Sequence, residues 1–161
     1  MIHFLLISLF VFISCGVAQQ SKIIIRDNIK MLYGKTTAEQ LAFDYPAWEK
    51  VEKAYVPDPA IEKELKAYKL PTKVLVIFGT WCSDSKRNVP RFLKSVKGNK
   101  NIQLEFYAVD RKLKAGNGLA EKYQIKRVPT FVVLQDGKEI GRIVERPVIS
   151  IEKDLSQILQ K

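Results

Sequence analysis

The stretch "WCSDS" (81–85) puts a thiol, a carboxylate and two hydroxyls side by side, two residues after the uninterrupted apolar run "VLVIF" (74–78). Of these groups the thiol carries the widest chemistry, because its thiolate attacks disulfides and forms mixed disulfides. The rest of the chain narrows the options. His3 is the sole histidine and Cys15 the sole other cysteine, and both lie in the first residues. A chain processed beyond them has no histidine general base, no Cys/His pair, and no set of Cys and His ligands for zinc at the usual count of four. With one thiol it also forms no intrachain disulfide. No metal site and no cofactor is expected. What remains for Cys82 is exchange with a sulfur outside the chain, or the inert burial common among free cysteines.

The leader decides where that thiol works. Residues 1–18 contain no Lys, Arg, Asp or Glu, and the apolar run 4–13 is shorter than the ~20 residues a bilayer-spanning helix needs. This is the pattern of a secretory signal peptide. Two processing routes fit it. Gly16-Val17-Ala18 offers small residues for cleavage after Ala18, leaving a mature start at Gln19. Phe12-Ile13-Ser14-Cys15 resembles a bacterial lipoprotein box, which would end the leader before Cys15 and tether the domain to a membrane through that lipidated residue. We favour the first. The expected location is periplasmic or extracellular, with a membrane-anchored lipoprotein as the alternative.

The formal charge of +10 falls wholly in the exported part. Basic and acidic residues alternate in "EKVEK" and "IEKELK", as on solvated helix faces, and an exported protein meets little nucleic acid, so no nucleic-acid partner is expected. With 161 residues, 47% hydrophobic, the chain suits one ordinary core.

The thiol needs a frame. Residues 19–70 read as an N-terminal elaboration: a short strand in "SKIIIRDN", then helical segments partitioned by Pro46, Pro57 and Pro59. Asp44 is expected to cap a helix with Pro46 near its start, and Asp58 another with Pro59 at the first helical position. Tyr33, Phe43, Tyr45, Trp48 and Tyr55 are expected in the core. From residue 71 to 161 the pattern changes. "VLVIF" suits a strand buried on both faces. Val89, Phe92, Leu93 and Val96 make the stripe of an amphipathic helix over 85–97. "NIQLEFYAV" (101–109) puts Ile102, Leu104, Phe106 and Ala108 on one face of a strand. A short helix follows in "GNGLAEKYQI", then a hairpin over 130–145 around Asp136-Gly137, then a helix capped by Ser150 with Ile151, Leu155, Ile158 and Leu159 inward. The order is β-α-β-α-β-β-α.

This order, with Trp81-Cys82 at a strand-to-helix turn, Pro90 in the following helix, Pro129 in "RVPTF" and the hairpin "QDGKEIGR", resembles the thioredoxin superfamily over roughly residues 73–160. The resemblance implies a three-layer α/β sandwich, a mixed sheet flanked by helices. It also implies a cis Pro129 lying against Cys82 and shaping a substrate groove with Trp81, Asp84, Arg127 and Val128. Ser85 stands where a second, resolving cysteine is usual, and Val76 where an acid often aids proton transfer. The helix start favours the Cys82 thiolate. Lys86, Arg87, Lys126 and Arg127 are expected to add positive charge, Ser85 to donate a hydrogen bond to the sulfur, and Asp84 to oppose the thiolate. The resulting expectation is an exported monothiol protein of catalytic residues Cys82, Ser85 and Pro129. It would form mixed disulfides with exported proteins or small thiols and be released by an external thiol reductant. The alternative is a binding module without redox chemistry that uses the Pro129 groove.

Overall fold

The computed structural model describes residues 21–161; His3, Cys15 and the expected leader with both of its candidate processing points lie outside the described residues. One six-stranded sheet organises the molecule, in the order β1-β2-β4-β3-β5-β6. Its centre is β3 (Thr72–Phe78), parallel to β4 (Ile102–Ala108) and antiparallel to β5 (Thr130–Gln135). Being central, β3 is covered on both sides, which is why its sequence shows no polar alternation. Val74, Val76 and Phe78 enter one core, Leu75 and Ile77 the other.

The parallel pair β3 and β4 needs a crossover, which α4 (Ser83–Val96) supplies. Beyond β5, the turn residues Asp136 and Gly137 both take positive φ and lead into β6 (Lys138–Val144). This is the geometry a two-residue hairpin turn demands. A short α5 (Leu119–Lys122) precedes β5, and α6 (Ile151–Leu159) closes the chain. Ser150 caps α6 by accepting from the Lys153 N–H at 3.3 Å.

The N-terminal segment differs in part from its sequence reading. Strand β1 (Lys22–Arg26) forms as expected, but residues 29–36 are a second strand, β2 (Ile29–Thr36), rather than helix. Asp27 and Asn28 turn between the two, both at positive φ, which short polar side chains tolerate. Through Gly34–Thr36, β2 joins β4 antiparallel and enters the main sheet. The helical part follows as α1 (Ala38–Asp44), α2 (Ala47–Ala54) and α3 (Pro59–Ala67). Asp58 caps α3 as expected, accepting from the Ala60 and Ile61 N–H groups. Asp44 does not cap α2; it ends α1, Thr37 caps α1, and Pro46 holds the start of α2 without a side-chain cap. Trp48 is buried, edge-on to Phe78 at 5.6 Å, whereas Phe43 is 83% exposed and leaves the expected core.

All five long helices pack on one face of the sheet, where Leu32 of β2 joins their core and Phe92 of α4 stacks on Phe131 of β5 at 4.5 Å. The other face is thin. Leu75, Ile77, Tyr107, Val132 and Leu134 are covered there by Ala120 of α5 and by Ala115, Ile125 and Val128 from the connections beside it. Trp81 and Cys82 border this second core. Among the described residues no helix is long and apolar enough to cross a membrane.

Candidate functional site

Strand β3 ends at Phe78, and the chain must turn at once to start α4. The Cys82 N–H bonds the Gly79 carbonyl at 3.0 Å, making Cys82 the N-cap residue of the helix. Gly79 is needed because a Cβ there would lie 2.6 Å from the Trp81 indole. The indole is fixed from the other side, its Nε1–H donating to the Val109 carbonyl at 2.9 Å, with the Arg111 guanidinium 5.4 Å from the ring centroid. Cys82 is half-buried beside the unpaired N–H groups of the first turn.

The sulfur meets the segment before β5. The Val128–Pro129 peptide bond is cis, as the resemblance implied. The Cys82 thiol donates to the Val128 carbonyl at 3.2 Å. Thus Cys82 and Val128, expected together from sequence, are in contact, with Trp81 and Pro129 their neighbours along the chain.

Ser85 has a different partner from the one expected. Fully buried, its Oγ accepts the Gly79 N–H at 3.2 Å, and no hydrogen bond joins it to Cys82. The reason is backbone accounting: Gly79 is buried where the chain leaves the sheet, and its N–H would otherwise go unpaired. The hydroxyl therefore supports the loop from beneath.

The charges expected near the sulfur are also largely committed. The Asp84 carboxylate, nearly buried, is paired with Arg87 one turn along and with Arg146 at 3.2 Å, so its repulsion of a thiolate is offset by two guanidinium groups. Arg127 pairs with Glu145 at 2.7 Å. Lys86 and Lys126 have no ion pair among the described residues.

Several site residues escaped the sequence reading. Glu145, at φ +61, donates its N–H to the Pro129 carbonyl at 2.7 Å, and its own carbonyl accepts from Asn88 Nδ2 at 2.7 Å. This ties the segment after β6 to both α4 and the cis proline. Asn88 left a trace in the sequence, an amide inside the apolar stripe of α4. Thr80 Oγ1 accepts the Leu32 N–H at 3.1 Å. Buried Asp110 accepts the N–H groups of Lys112 and Lys114 and pairs with Arg26. Through these two, the β1–β2 hairpin holds the loops on either side of Trp81.

With this geometry in hand, known proteins give a consistent comparison. A family model described as Thioredoxin matches residues 35–155, a span that includes α1 to α3. The chain is 33% identical to a thioredoxin of Echinococcus granulosus over 85 residues, 53% of this chain and 74% of that one. It is 29% identical over 99 residues to a TPR repeat-containing thioredoxin of Arabidopsis thaliana, 60% of this chain but 25% of that longer protein. In fold it resembles a Pseudomonas aeruginosa protein of unknown function, with a TM-score of 0.54 and 20% identity, covering 77% of this chain and 84% of the other.

Proposed function

Since the chain belongs to the thioredoxin family, whose model matches residues 35–155, we propose that it is a monothiol thiol–disulfide exchange protein working through Cys82. Family membership supports a thiol–disulfide redox role in general. The observation that carries the finer reading is the position of the sulfur: half-buried, at the start of α4, and 3.2 Å from the carbonyl that precedes Pro129.

In the first step the Cys82 thiolate attacks one sulfur of a substrate disulfide, forms a mixed disulfide and expels the other sulfur as a thiolate. No second sulfur stands at position 85, and Cys82 is the only cysteine among the described residues, which offer no internal way out. An external thiolate must attack the mixed disulfide, and the electrons for reduction come from that donor. Exported proteins or small disulfides are the substrates, in keeping with the leader; the domain acts in the periplasm or outside the cell, or on a membrane if Cys15 is lipidated.

A second reading is favoured by two specific observations. The Cys82–Val128 bond uses the sulfur's proton, and Ser85 serves the loop rather than the sulfur; both would suit a binding module without redox chemistry. Incubation with an oxidised, scrambled protein and a thiol buffer separates the two. The exchange reading expects a mixed disulfide at Cys82 and faster reshuffling, both abolished in Cys82→Ala. Reshuffling equal to that of the Cys82→Ala protein supports the binding module.

A further inference from the structure

The monothiol reading requires an external thiol, and the surface at Trp81, the residue before Cys82, carries a place for one. A cavity of about 550 Å³ opens between the α1–α2 connection and the start of α4, with Trp81 and Lys86 in its wall. Its size falls within the ~300–1,000 Å³ usual for small-molecule sites. We propose that this cavity seats the thiol donor, and that the donor is a small amino-acid-derived thiol bearing carboxylates and an ammonium group. The proposal rests on the monothiol reading.

Charge carries the choice of ligand. Lys30, Lys86 and Arg111 line the cavity, all three exposed, and none is ion-paired with a described residue. Arg111 lies against the face of Trp81, which orients it. The one acid in the wall is Asp44, whose carboxylate accepts from Gln40 Nε2 at 2.9 Å and keeps lone pairs free. Of the other acids on the surrounding loops, Asp84 is paired with Arg87 and Arg146 and Asp110 with Arg26, while Asp27, in the turn before Lys30, is exposed and has no ion pair among the described residues. Three cations and one anion around a small cavity complement a zwitterion with more carboxylates than amines. The cavity is also close to the chemistry in the chain: Trp81 precedes Cys82, and the Lys86 N–H bonds the Cys82 carbonyl at 3.1 Å.

The reaction balances with two donors. The first donor thiolate attacks Cys82 Sγ of the mixed disulfide, forms a Cys82–donor disulfide and expels the substrate thiolate. A second donor attacks that bond, leaving the donor disulfide and the Cys82 thiolate. Two donor thiols are oxidised for each substrate disulfide reduced, and their protons end on the two substrate sulfurs.

The test starts from Cys82 carrying a thiopyridyl group, whose release is followed by absorbance. Glutathione, neutral 2-mercaptoethanol and cationic cysteamine serve as donors, each scaled to its rate on a thiopyridyl Trp-Cys-Ser peptide. The scaled rate should be about tenfold higher for glutathione than for 2-mercaptoethanol and lower for cysteamine, and should saturate with glutathione. Lys86→Met and Arg111→Met should each cut the glutathione advantage several-fold, and Lys138→Met, on β6, should not. In Cys82→Ala, S-methylglutathione should bind saturably by calorimetry, and more weakly once Lys86→Met is added. Equal scaled rates for the three donors, or no binding of S-methylglutathione, overturns the donor site alone. Failure of Cys82 to take up the thiopyridyl group overturns the monothiol reading, and the donor role with it.

Discussion

The two faces of the sheet are built on different terms. One is covered by five helices, whose buried aromatic and aliphatic side chains join those of the strands in a continuous core from Leu32 to Leu159. The other is covered by a four-residue helix and connecting segments, and the Cys82 thiol lies at its border. On the thick face burial does the holding. On the thin face a few polar contacts hold the loops: Trp81 to Val109, Ser85 to Gly79, Asp110 to its own turn. Stability and sulfur chemistry are thereby separable, with the fold resting on one side and the site placed on the other.

The largest effect expected from that contrast comes from truncation on the thick side. Phe92→Ala removes a fully buried ring stacked on Phe131 and should cost about 3–5 kcal/mol in denaturant unfolding, with the Cys82 reaction rate unchanged in the folded fraction. A changed rate would break the separation. On the thin side, Gly79→Ala drives a Cβ into the fixed Trp81 indole. It should cost about 1–3 kcal/mol and, in contrast to Phe92→Ala, alter both tryptophan fluorescence and Cys82 reactivity.

Ser85→Cys sharpens the same point. It exchanges the acceptor of the Gly79 N–H for a weaker one and should cost about 1 kcal/mol. It should also close an internal disulfide with Cys82 under mild oxidation, seen as the loss of two titratable thiols. Turnover in disulfide reduction should rise only modestly, since buried Val76 relays no proton.

The smallest effect lies far from the sulfur, where α6 meets the segment before α3. Glu152 is buried; burial pushes its carboxyl up, but the Tyr55 hydroxyl, donating at 2.6 Å, and the Asp58 N–H outweigh this and hold it below the usual range. A depressed folded value means its contribution to stability is complete above the unfolded carboxylate pKa of about 4.3 and is lost as pH falls through the folded value. Tyr55→Phe should therefore lose less stability than the parent below about pH 4, read by urea unfolding across an acid series. Equal slopes would remove this pair from the stability of the thick face.

What could be read from sequence follows from how local each signal is. Strands β3 to β6 and helices α4 and α6 declare themselves through apolar periodicity, and Trp81, Cys82 and Pro129 through a motif. Strand β2 does not, because "IKMLYGKT" has no clean alternation and takes its place in the sheet from β4; its local clue was the Asp27-Asn28 turn. Phe43 and Asp44 misled for a similar reason: an aromatic or an acid beside a helix end fits several roles until neighbouring elements choose one. In the site, the roles of Ser85, Asp84 and Arg127 depend on Gly79, Arg146 and Glu145, which approach them only in the folded chain.

The most direct measurement of the central claim is the rate at which iodoacetamide alkylates Cys82 at neutral pH in the folded protein, against the same chain unfolded in urea and against Phe92→Ala. The account predicts that folding speeds the reaction, because the fold presents the Cys82 sulfur at the start of α4 beside the unpaired N–H groups of its first turn, and that Phe92→Ala keeps this acceleration while it remains folded. Alkylation slower in the folded protein than in the unfolded chain would contradict it, and leave a redox scaffold in which Cys82 is inert.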